Sequence, residues 1–474
     1  MFFYRNRFGL LSGANINMSR ADRFFDFFGK SAVAVGDDDP IDVTAVSSQP
    51  VDLSYVTQTS VGLLIFGTTE QFLLTVGNDI LAPDTANINS IGRYAITPKL
   101  EAQALGTSTV FFSKTKNFLA SHEFVNISST QPPTAFDHTT VVPELLPSSI
   151  DQIATSPAKS IISYGASQSN TIYQYRFLRI GEEELATAWY KWTLPGKLIY
   201  QYFDDTVLNC VIQDTDPTTP RAYLVSFDLN QANTNGYLKA SEDFKFDPCL
   251  DLWNVNPICT YDATTDVTQY TLPYRNSFAG SEPVAIVLDT SGDQQLHSLS
   301  PEIIYTGVGN ESETNSDNMQ WDIPGDQRGK DIIFGWKYTM EVELPTIYLQ
   351  GGGETMSTDT DSNLIIKKLN VLTGPSGPLS FKVEYKGIDA QVSTQDVALS
   401  YEAEAESTYT LVNTEANVYK LNTLNVSLSD SRSVPVYQRN TNVTIKAIGD
   451  TPLPVNILSI AWEGRATSKF YRRG

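Results

Sequence analysis

Carboxylates dominate the side chains that could do chemistry in this sequence. Aspartate occupies positions 37–39 and glutamate occupies positions 182–184. Glycosidases need two carboxyl groups roughly 5–10 Å apart across a cleft. With 54 acidic residues in the chain, neighbouring carboxylates are too common to nominate such a pair. Pro40 follows the aspartates and favours a solvated acidic turn, with a calcium loop as the alternative.

Cysteine and histidine are too few and too scattered to indicate a metal site. The chain holds three of each: Cys210, Cys249, Cys259, His122, His138 and His297. An odd, sparse cysteine set does not indicate a disulfide framework and fits assembly in a reducing cytoplasm. We interpret the histidines as surface or strand residues. Phosphate loops, dinucleotide fingerprints and nucleophile elbows are also absent from the sequence. We therefore expect no catalytic residue, no cofactor, no metal ligand and no enzymatic activity.

Charge is distributed unevenly along the chain. The net charge is −21. Residues 1–30 contain five Lys or Arg and two Asp, a balance of +3, so the remainder carries about −24. Such an acidic surface does not grip nucleic-acid phosphates. Two interpretations remain open: solubility alone, or a surface that DNA passes without sticking.

The opening stretch "MFFYRNRFGLLSGANINMSRADRFFDFF" predicts neither a signal peptide nor a membrane anchor. Arg5, Asn6 and Arg7 interrupt its apolar residues. The sequence contains no apolar run of about 18 residues, so no transmembrane helix is expected. Instead we expect a hairpin turning at Gly13, followed by an aromatic segment that packs into the fold.

Paired apolar runs recur in the first half of the chain. Hairpins are predicted around Gly13 and in four later segments, with turns at 67–70, 114–116, 165–169 and 214–220. A spacing of roughly 50 residues with paired strands favours the blades of a β-propeller. Four further aromatic residues are expected to pack between blades: Trp189, Trp192, Tyr200 and Tyr202.

The spacing of strands and polar loops changes in the second half of the chain. Strands are predicted at 331–344, 363–371, 379–385, 408–413, 421–427, 441–447 and 454–462, which favour an antiparallel sandwich or platform. Exposed loops at 308–330 and 351–363 are expected to act as contact or tip elements. The fold class is therefore all-β. Its expected domains are an incomplete ring of propeller-like blades at 1–240, an insertion or last blade at 241–330 and a platform with a basic tail at 331–474.

Three stretches resemble one known family when they are taken in order. The first is "YRNRFGLLSGANINMSRADRFFDFF" with the following "DDDPIDV", the second is "DIIFGWKYTMEVELP" and the third is "LPVNILSIAWEGRATSKFYRRG". The first stretch carries the pattern through Ser19, Arg20, Phe24, Phe25, Phe27, Phe28, Asp39, Pro40 and Ile41. The third carries it through Pro454, Ile457, Trp462, Glu463 and Gly464. The set resembles the tubular tail protein B family, the nozzle proteins of short-tailed, T7-like bacteriophages.

The resemblance implies a structural virion protein assembled in the host cytoplasm. Nozzle proteins are implied to form hexameric rings at the distal end of the tail, below an adaptor ring of tubular tail protein A. They hold the tail fibres there, and genomic DNA leaves through their lumen. Family members are usually much longer, with these motifs in their second half. We therefore expect either a shortened or split gene or an internal start, with the ring-closing blade and part of the platform missing or supplied by another chain.

The main alternative is a propeller or sandwich that binds or cleaves surface polysaccharide. Propellers carry many functions, so the fold class alone leaves this open. A bound glycan or two facing carboxylates in a cleft would favour it. A secreted adhesin is a third class, which the lack of a signal peptide disfavours.

Overall fold

The computed structural model is an all-β fold in the residues that it describes. It describes residues 1–31, 33–76, 80–115, 117–125, 133–180, 183–214, 220–229, 238–241, 244–272, 282–288, 294–298, 319–351, 357–359, 362–377, 379–385, 406–411 and 429–467. In these ranges the regular structure is strand, with one 3-10 turn at Asn440–Asn442. The all-β class is confirmed. The chain divides into two compact units, unit 1 (Met1–Gln231) and unit 2 (Ala232–Gly474). The predicted domain boundaries at 240 and 330 stay predictions.

Unit 1 contains five antiparallel sheets, numbered here in chain order. The first sheet has β1 (Phe2–Tyr4), β2 (Arg7–Ser12), β3 (Asn15–Met18) and β4 (Ile41–Thr44). The second has β5 (Leu53–Gln58), β6 (Gly62–Gly67), β7 (Gln71–Val76) and β8 (Ala86–Gly92). The third has β9 (Gln103–Leu105), β10 (Ser108–Thr115), β11 (Phe118–Val125) and β12 (Thr134–Asp137). The fourth has β13 (Gln152–Ser156), β14 (Ile161–Gly165), β15 (Thr171–Ile180) and β16 (Glu183–Thr193); the fifth has β17 (Lys197–Asp204), β18 (Val207–Gln213) and β19 (Ala222–Asp228).

Each of these sheets is a meander in which every strand pairs with the strand that follows it in sequence. The five predicted hairpins are β2–β3, β6–β7, β10–β11, β14–β15 and β18–β19. Gly13 takes φ +58° at the first turn, a conformation that glycine adopts without strain. The sheets begin at residues 2, 53, 103, 152 and 197, so the repeat of roughly 50 residues is confirmed. The propeller itself stays a prediction.

The second sheet shows why its strands are apolar at every position. All six residues of β6 are buried. Leu63 and Ile65 pack against the first sheet, whereas Leu64 and Phe66 pack against the third. Because side chains alternate between the two faces of a strand, a sheet covered on both sides needs apolar residues without a gap.

The later sheets of unit 1 pack face to face in the same order. Phe112 of the third sheet and Tyr164 of the fourth belong to one buried cluster. Between the fourth and fifth sheets, Ser163 Oγ donates to Gln201 Oε1 at 2.8 Å. A Cβ on Gly165 would collide with the side chain of Leu198. Close approach of these two sheets therefore requires glycine at this position.

The described residues of unit 2 contain the remaining eighteen strands. In chain order they are β20 (Leu238–Ser241), β21 (Phe244–Phe246), β22 (Asp251–Val255), β23 (Ile258–Asp262), β24 (Val267–Leu272), β25 (Glu282–Leu288), β26 (Gln294–Ser298), β27 (Met319–Pro324), β28 (Asp331–Lys337), β29 (Met340–Glu343), β30 (Leu349–Gly351), β31 (Ser357–Asp359), β32 (Asn363–Thr373), β33 (Leu379–Tyr385), β34 (Glu406–Leu411), β35 (Asp430–Arg439), β36 (Val443–Gly449) and β37 (Ile457–Thr467). The larger sheets have the orders β22-β28-β25-β26, β23-β24-β27, β29-β36-β33-β34 and β35-β32-β37. The pairs β20–β21 and β30–β31 form two-stranded sheets.

The last two of these larger sheets pack face to face as a sandwich. Leu369 and Val371 of β32 lie in one buried cluster with Phe381 and Val383 of β33 and Ile445 of β36. The strands alternate buried and exposed positions, as expected where each sheet covers one side of a shared core. The predicted antiparallel sandwich is present in the described residues.

Four predictions about unit 2 need correction or fall outside the described residues. The segment 308–330, predicted as a loop, includes strand β27, whose sequence MQWDIP alternates apolar and polar residues. The segment 351–363 includes β31, which pairs with β30. The predicted strand 331–344 is two strands, β28 and β29, which belong to different sheets. The strand predicted at 421–427 lies outside the described residues.

Candidate assembly surface

Arg7 is an arginine enclosed in the core of unit 1. It is 1% exposed and lies on β2. Its Nη1 donates to the carbonyl oxygens of Ser19 at 2.8 Å and Asp39 at 2.6 Å. Its Nη2 donates to those of Asp37 at 2.7 Å and Leu81 at 3.1 Å. The guanidinium therefore ties the first sheet to the acidic loop and to the segment after β7, and burial lowers its pKa.

Arg20 lies next to Arg7 in the fold and binds the side chains of the acidic loop. It is 6% exposed. Its Nη1 donates to Asp26 at 3.2 Å, its Nη2 donates to Asp38, and its Nε lies 3.8 Å from Asp39. The hydrogen bond with Arg20 lowers the pKa of Asp38. We call Arg7, Arg20 and these three aspartates the arginine clasp.

The clasp corrects the prediction of a solvated acidic turn. Asp37 is exposed, but Asp39 is 4% exposed. Asp39 accepts backbone N–H groups from Lys30 at 2.9 Å and Gly36 at 2.8 Å, and the Gly36 bond is the larger cause of its lowered pKa. The sequence did not reveal that the backbone N–H groups of Lys30 and Gly36 would hold this carboxylate inside the fold. Among the described residues no group of three or more His, Cys, Asp or Glu could hold a metal ion.

Beside the clasp lies a set of phenylalanine rings, four of them exposed and two half-buried, which we call the aromatic surface. Its members are Phe3, Phe8, Phe24, Phe25, Phe27 and Phe28. Phe24 packs edge-on against Phe3 with a centroid distance of 5.4 Å, and Phe27 packs against Phe8 at 6.3 Å. Phe25 and Phe28 are 94% and 83% exposed. The prediction that this aromatic segment packs into the fold is wrong for these two residues, which point into solvent.

The fifth sheet carries a second apolar group, which we call the tyrosine surface: exposed Tyr200, Tyr202 and Leu224, with half-buried Val211. Tyr200, Tyr202 and Leu224 are 57%, 40% and 62% exposed. Tyr200 is opposite Val211, and Val211 is opposite Leu224, so these residues share one face of the sheet. Tyr200 and Tyr202 were predicted to pack between blades; that prediction is wrong, because a β-bulge at Leu198–Tyr200 precedes them and both rings face outward.

The two tryptophans of that prediction behave differently. Trp189 is half-buried and stacks on Tyr164 at 5.5 Å within the cluster between the third and fourth sheets. Trp192 of the fourth sheet lies 5.5 Å from Phe227 of the fifth. Trp192 therefore contacts the neighbouring sheet directly. Trp189 does so through its Nε1, which donates to the carbonyl oxygen of His138 just after the third sheet at 3.3 Å, so the prediction is confirmed for both residues.

A buried polar network joins the third and fourth sheets and superficially resembles a hydrolase triad. His138 Nε2 lies 3.0 Å from Glu123 Oε2, and its Nδ1 lies 3.4 Å from Ser121 Oγ. Ser121 Oγ also lies 2.9 Å from the hydroxyl of Tyr164. Ser121 and Glu123 are both 0% exposed. A nucleophile needs contact with substrate, so this arrangement serves packing.

Glu123 is the charged centre of that network. It accepts hydrogen bonds from Ser108 and from both terminal nitrogens of Arg179. Burial opposes its ionisation, but the bonds from Arg179, His138 and Ser108 outweigh burial and lower its pKa to about 2. His122 and His138 are buried strand-region residues, not surface residues. His297 lies on β26.

The three cysteines are free thiols, and burial raises the pKa of Cys210 to about 12. Glu183 and Glu184 begin β16, while Glu182 lies outside the described residues. No helix in the described ranges is long and apolar enough to cross a membrane.

A fold of stacked antiparallel meanders with buried ionic links and exposed aromatic faces defines a structural building block. The family model of the bacteriophage nozzle protein matches residues 1–473, so the chain belongs to that family. Nozzle proteins are structural parts of the phage tail and virion, and they are not enzymes. The resemblance drawn from the sequence is confirmed.

The tail tubular protein gp12 of Escherichia phage T7 is similar over 484 aligned residues, at 24% identity. The alignment covers 98% of this chain and 55% of that protein, so the chain spans just over half of its relative's length. Among solved structures, Hsv2p of Kluyveromyces lactis is 10% identical with a TM-score of 0.30, over 58% of this chain and 80% of that one. A luciferin-regenerating enzyme has a TM-score of 0.25 at 10% identity, over 56% of this chain and 84% of that one.

The residues that carry the family pattern lie in two places, the arginine clasp of unit 1 and strand β37 of unit 2. Ser19, Arg20, Asp39 and Ile41 are buried in or beside the arginine clasp. In unit 2, β37 begins at Ile457 and contains the Trp-Glu-Gly segment. Glu463 in that segment accepts Asn370 Nδ2 at 2.9 Å and lies 3.2 Å from Lys368 Nζ. The basic tail beyond Thr467 lies outside the described residues.

Proposed function

We propose that this chain is a subunit of the nozzle of a short phage tail, assembled as a hexameric ring through which the genome leaves the virion. The family match over residues 1–473 carries the proposal. The ring sits below the adaptor ring formed by tubular tail protein A, and the tail fibres attach at that junction. The five sheets of unit 1 belong to a propeller in the ring wall.

The packing of unit 1 supports a role in a rigid wall. Successive sheets share buried clusters, and the ion pair of Glu123 and Arg179 links the third sheet to the fourth. Closely packed interiors resist deformation. A wall that directs DNA under pressure needs this resistance, and reactive groups contribute nothing to it.

The net charge of −21 supports passive passage of DNA. Phosphates are repelled by an acidic surface, so DNA slides past it without binding. In the assembled ring, many of the Asp and Glu residues line the lumen. A potential map of the ring tests this point, and a neutral or basic bore would contradict it.

The oligomeric state of the purified chain tests the proposal directly. We expect particles of six times the 52.4 kDa subunit mass by native mass measurement, and rings with sixfold symmetry by negative-stain electron microscopy. Closed rings are built from head-to-tail contacts between two different faces of each subunit. A chain that stays monomeric at micromolar concentrations would contradict the proposal.

A further inference from the structure

The antiparallel sandwich of unit 2 ends in edge strands that are protected to different degrees. Among the described strands, β35 and β37 bound one sheet, and β29 is an edge of the other. Strand β35 contains Pro435, and Tyr437 takes φ +50° beside a shift in its register with β32. Proline and bulges of this kind keep a further strand from pairing with an edge. Strands β37 and β29 contain no proline, and the extra residue of β37, Leu458, lies near its start, so both edges can accept another strand.

The shared core of the sandwich is covered at β35 and open at β37. Leu369 in the central strand β32 is flanked by Val434 on β35 and by Trp462 on β37. Val434 is 0% exposed, whereas Trp462 and Ile460 are only half-buried, although all three pack against the same core. A further strand beside β37 would remove more of these two side chains from water, which favours its binding.

Strand β29, at the edge of the other sheet, has a matching pattern. Val342 lies opposite the buried Ala447, on the core side of the sheet, yet it is 43% exposed at this edge. Glu341 and Glu343 alternate with it on the solvent side and are exposed. Lys446 Nζ lies 2.9 Å from Glu341, and within the described residues Glu343 forms no direct ion pair. Glu343 is therefore left to pair with a cation that another chain supplies.

Strand β37 carries such a cation on its solvent side. Arg465 lies opposite the exposed Ile365, is itself exposed and forms no ion pair among the described residues. Glu463, on the same side of the strand, lies 3.2 Å from Lys368. A glutamate placed opposite Arg465 gains a cross-strand ion pair, and one placed opposite Glu463 is repelled. Charge therefore selects the register in which Glu343 lies opposite Arg465.

From these observations we infer that β37 of one copy pairs with β29 of the next copy, antiparallel like every other strand pair of the sandwich. In the register that charge selects, Val342 lies opposite Ala466. Both side chains then fall on the core side, because Ala466 is opposite the buried Leu364 within its own sheet. The contact joins two different edges, so it is heterologous and repeats head to tail. This inference rests on the proposed ring and names one contact between its subunits.

Cysteine cross-linking between copies tests the pairing. Chains with Val342→Cys and chains with Ala466→Cys are mixed at equal concentration, assembled and oxidised. Directly opposed residues of antiparallel strands have Cα atoms about 4.5–5.5 Å apart, a distance that a disulfide spans. We expect a covalent dimer in the mixture on non-reducing gels, and neither variant alone should give one.

The matched control moves one cysteine along the same strand. Ala461→Cys lies on β37 roughly 17 Å from Ala466, so its mixture with Val342→Cys should give at least about tenfold less dimer. Under reducing conditions all three variants should form the same rings as the parent chain.

Charge exchange gives a second test that does not depend on cysteine. Arg465→Glu should raise the concentration at which half of the chains are assembled about tenfold, because it places like charges opposite each other. Glu343→Arg should do the same, and both substitutions in one chain should restore assembly. Glu144→Arg, at an exposed glutamate of unit 1, makes the same change of charge as Glu343→Arg and should assemble as the parent chain does.

The outcomes separate this inference from the proposed function. Rings in which Val342→Cys and Ala466→Cys give no dimer would overturn the inference and leave the proposed nozzle intact. That result is also expected if another tail protein, or another part of a longer chain, covers β37. Equal cross-linking to Ala461→Cys would overturn the register, and a dimer of either variant alone would overturn the head-to-tail pairing. A parent chain that forms no ring would overturn the proposed function as well.

Discussion

Arg179 of the fourth sheet and Glu123 of the third sheet meet in two parallel hydrogen bonds. Nη1 lies 2.8 Å from Oε1, and Nη2 lies 2.5 Å from Oε2. The carboxylate is fully buried, and His138 and Ser108 complete its coordination. A bidentate pair of this kind fixes both distance and angle between its partners. It therefore sets the relative position of two adjacent sheets in the wall of unit 1.

Removing the carboxylate should destabilise unit 1 strongly. Glu123→Ala leaves the Arg179 charge and the His138 ring without their buried partner, and we expect a loss of about 3–5 kcal/mol in the free energy of unfolding. Glu123→Gln keeps the shape and part of the bonding, so its loss should be smaller. Urea denaturation followed by tryptophan fluorescence measures both. Glu144→Ala, at an exposed glutamate, is the matched control and should change stability by less than about 0.5 kcal/mol. Equal effects at 123 and 144 would contradict the account.

The Glu123 carboxylate should make the stability of unit 1 sensitive to acid. The folded-state pKa of Glu123 is about 2, below its ordinary value of 4.5. A depressed carboxylate pKa contributes stability that is complete above the unfolded value and is lost as pH falls from about 4.5 towards 2. The shift corresponds to about 3 kcal/mol. Stability curves of the parent chain and Glu123→Gln should therefore converge as pH falls through this window. A constant difference between them from pH 6 to pH 3 would rule out the role assigned to Glu123.

Asp251 in unit 2 should make stability depend on pH in the opposite direction. It begins β22, opposite Trp336, and burial raises its pKa to about 6. A raised carboxylate pKa means that ionisation costs stability, so the cost grows as pH rises from about 4, is complete above about 6, and is absent below about 4. Because the side chain is only half-buried, Asp251→Asn should raise stability at pH 7.5 by about 1–2 kcal/mol and at pH 4 by little. Asp331→Asn, at an exposed aspartate of β28, is the comparison variant. A gain that is the same at both pH values would contradict the prediction.

Substitution of Arg7 in the arginine clasp should strongly reduce the free energy of unfolding. Arg7→Ala leaves four carbonyl oxygens without their common donor, and we expect a loss of about 3–5 kcal/mol. Arg7→Lys retains the charge but not the planar fork, so it should recover only part of the loss. Arg5→Ala, two residues away and exposed, should cost less than about 1 kcal/mol. Thermal unfolding distinguishes the three, and an Arg7→Lys variant as stable as the parent would show that the fork geometry is unimportant.

Hairpins were predictable because their signals are local. Gly13 and the turn segment at 67–70 each separate two apolar runs, and the structure has β2–β3 and β6–β7 there. Strand β35 was missed because Asp430–Arg439 is polar and contains Pro435. Proline is tolerated in it because β35 is an edge strand of its sheet, and a strand's position within a sheet is a property of the whole fold.

The assembly surface was only partly predictable for the same reason. The motif containing Arg20 and Phe25 pointed to this segment, but the expectation that its rings pack into the fold was wrong for Phe25 and Phe28. Burial of Arg7 depends on carbonyls from Asp37 and Leu81, which lie 30 and 74 residues away in the chain. No local sequence pattern encodes contacts between residues so far apart in the chain. The exposure of Tyr200 likewise depends on the β-bulge before it.

Electron cryo-microscopy of virions that carry this protein tests the central claim most directly. The account predicts a ring of six copies at the distal end of the short tail, with the five meanders of residues 2–228 traceable in its wall. Density for this chain in the head or a fibre, or a distal tail ring that its sheets do not fit, would contradict the account.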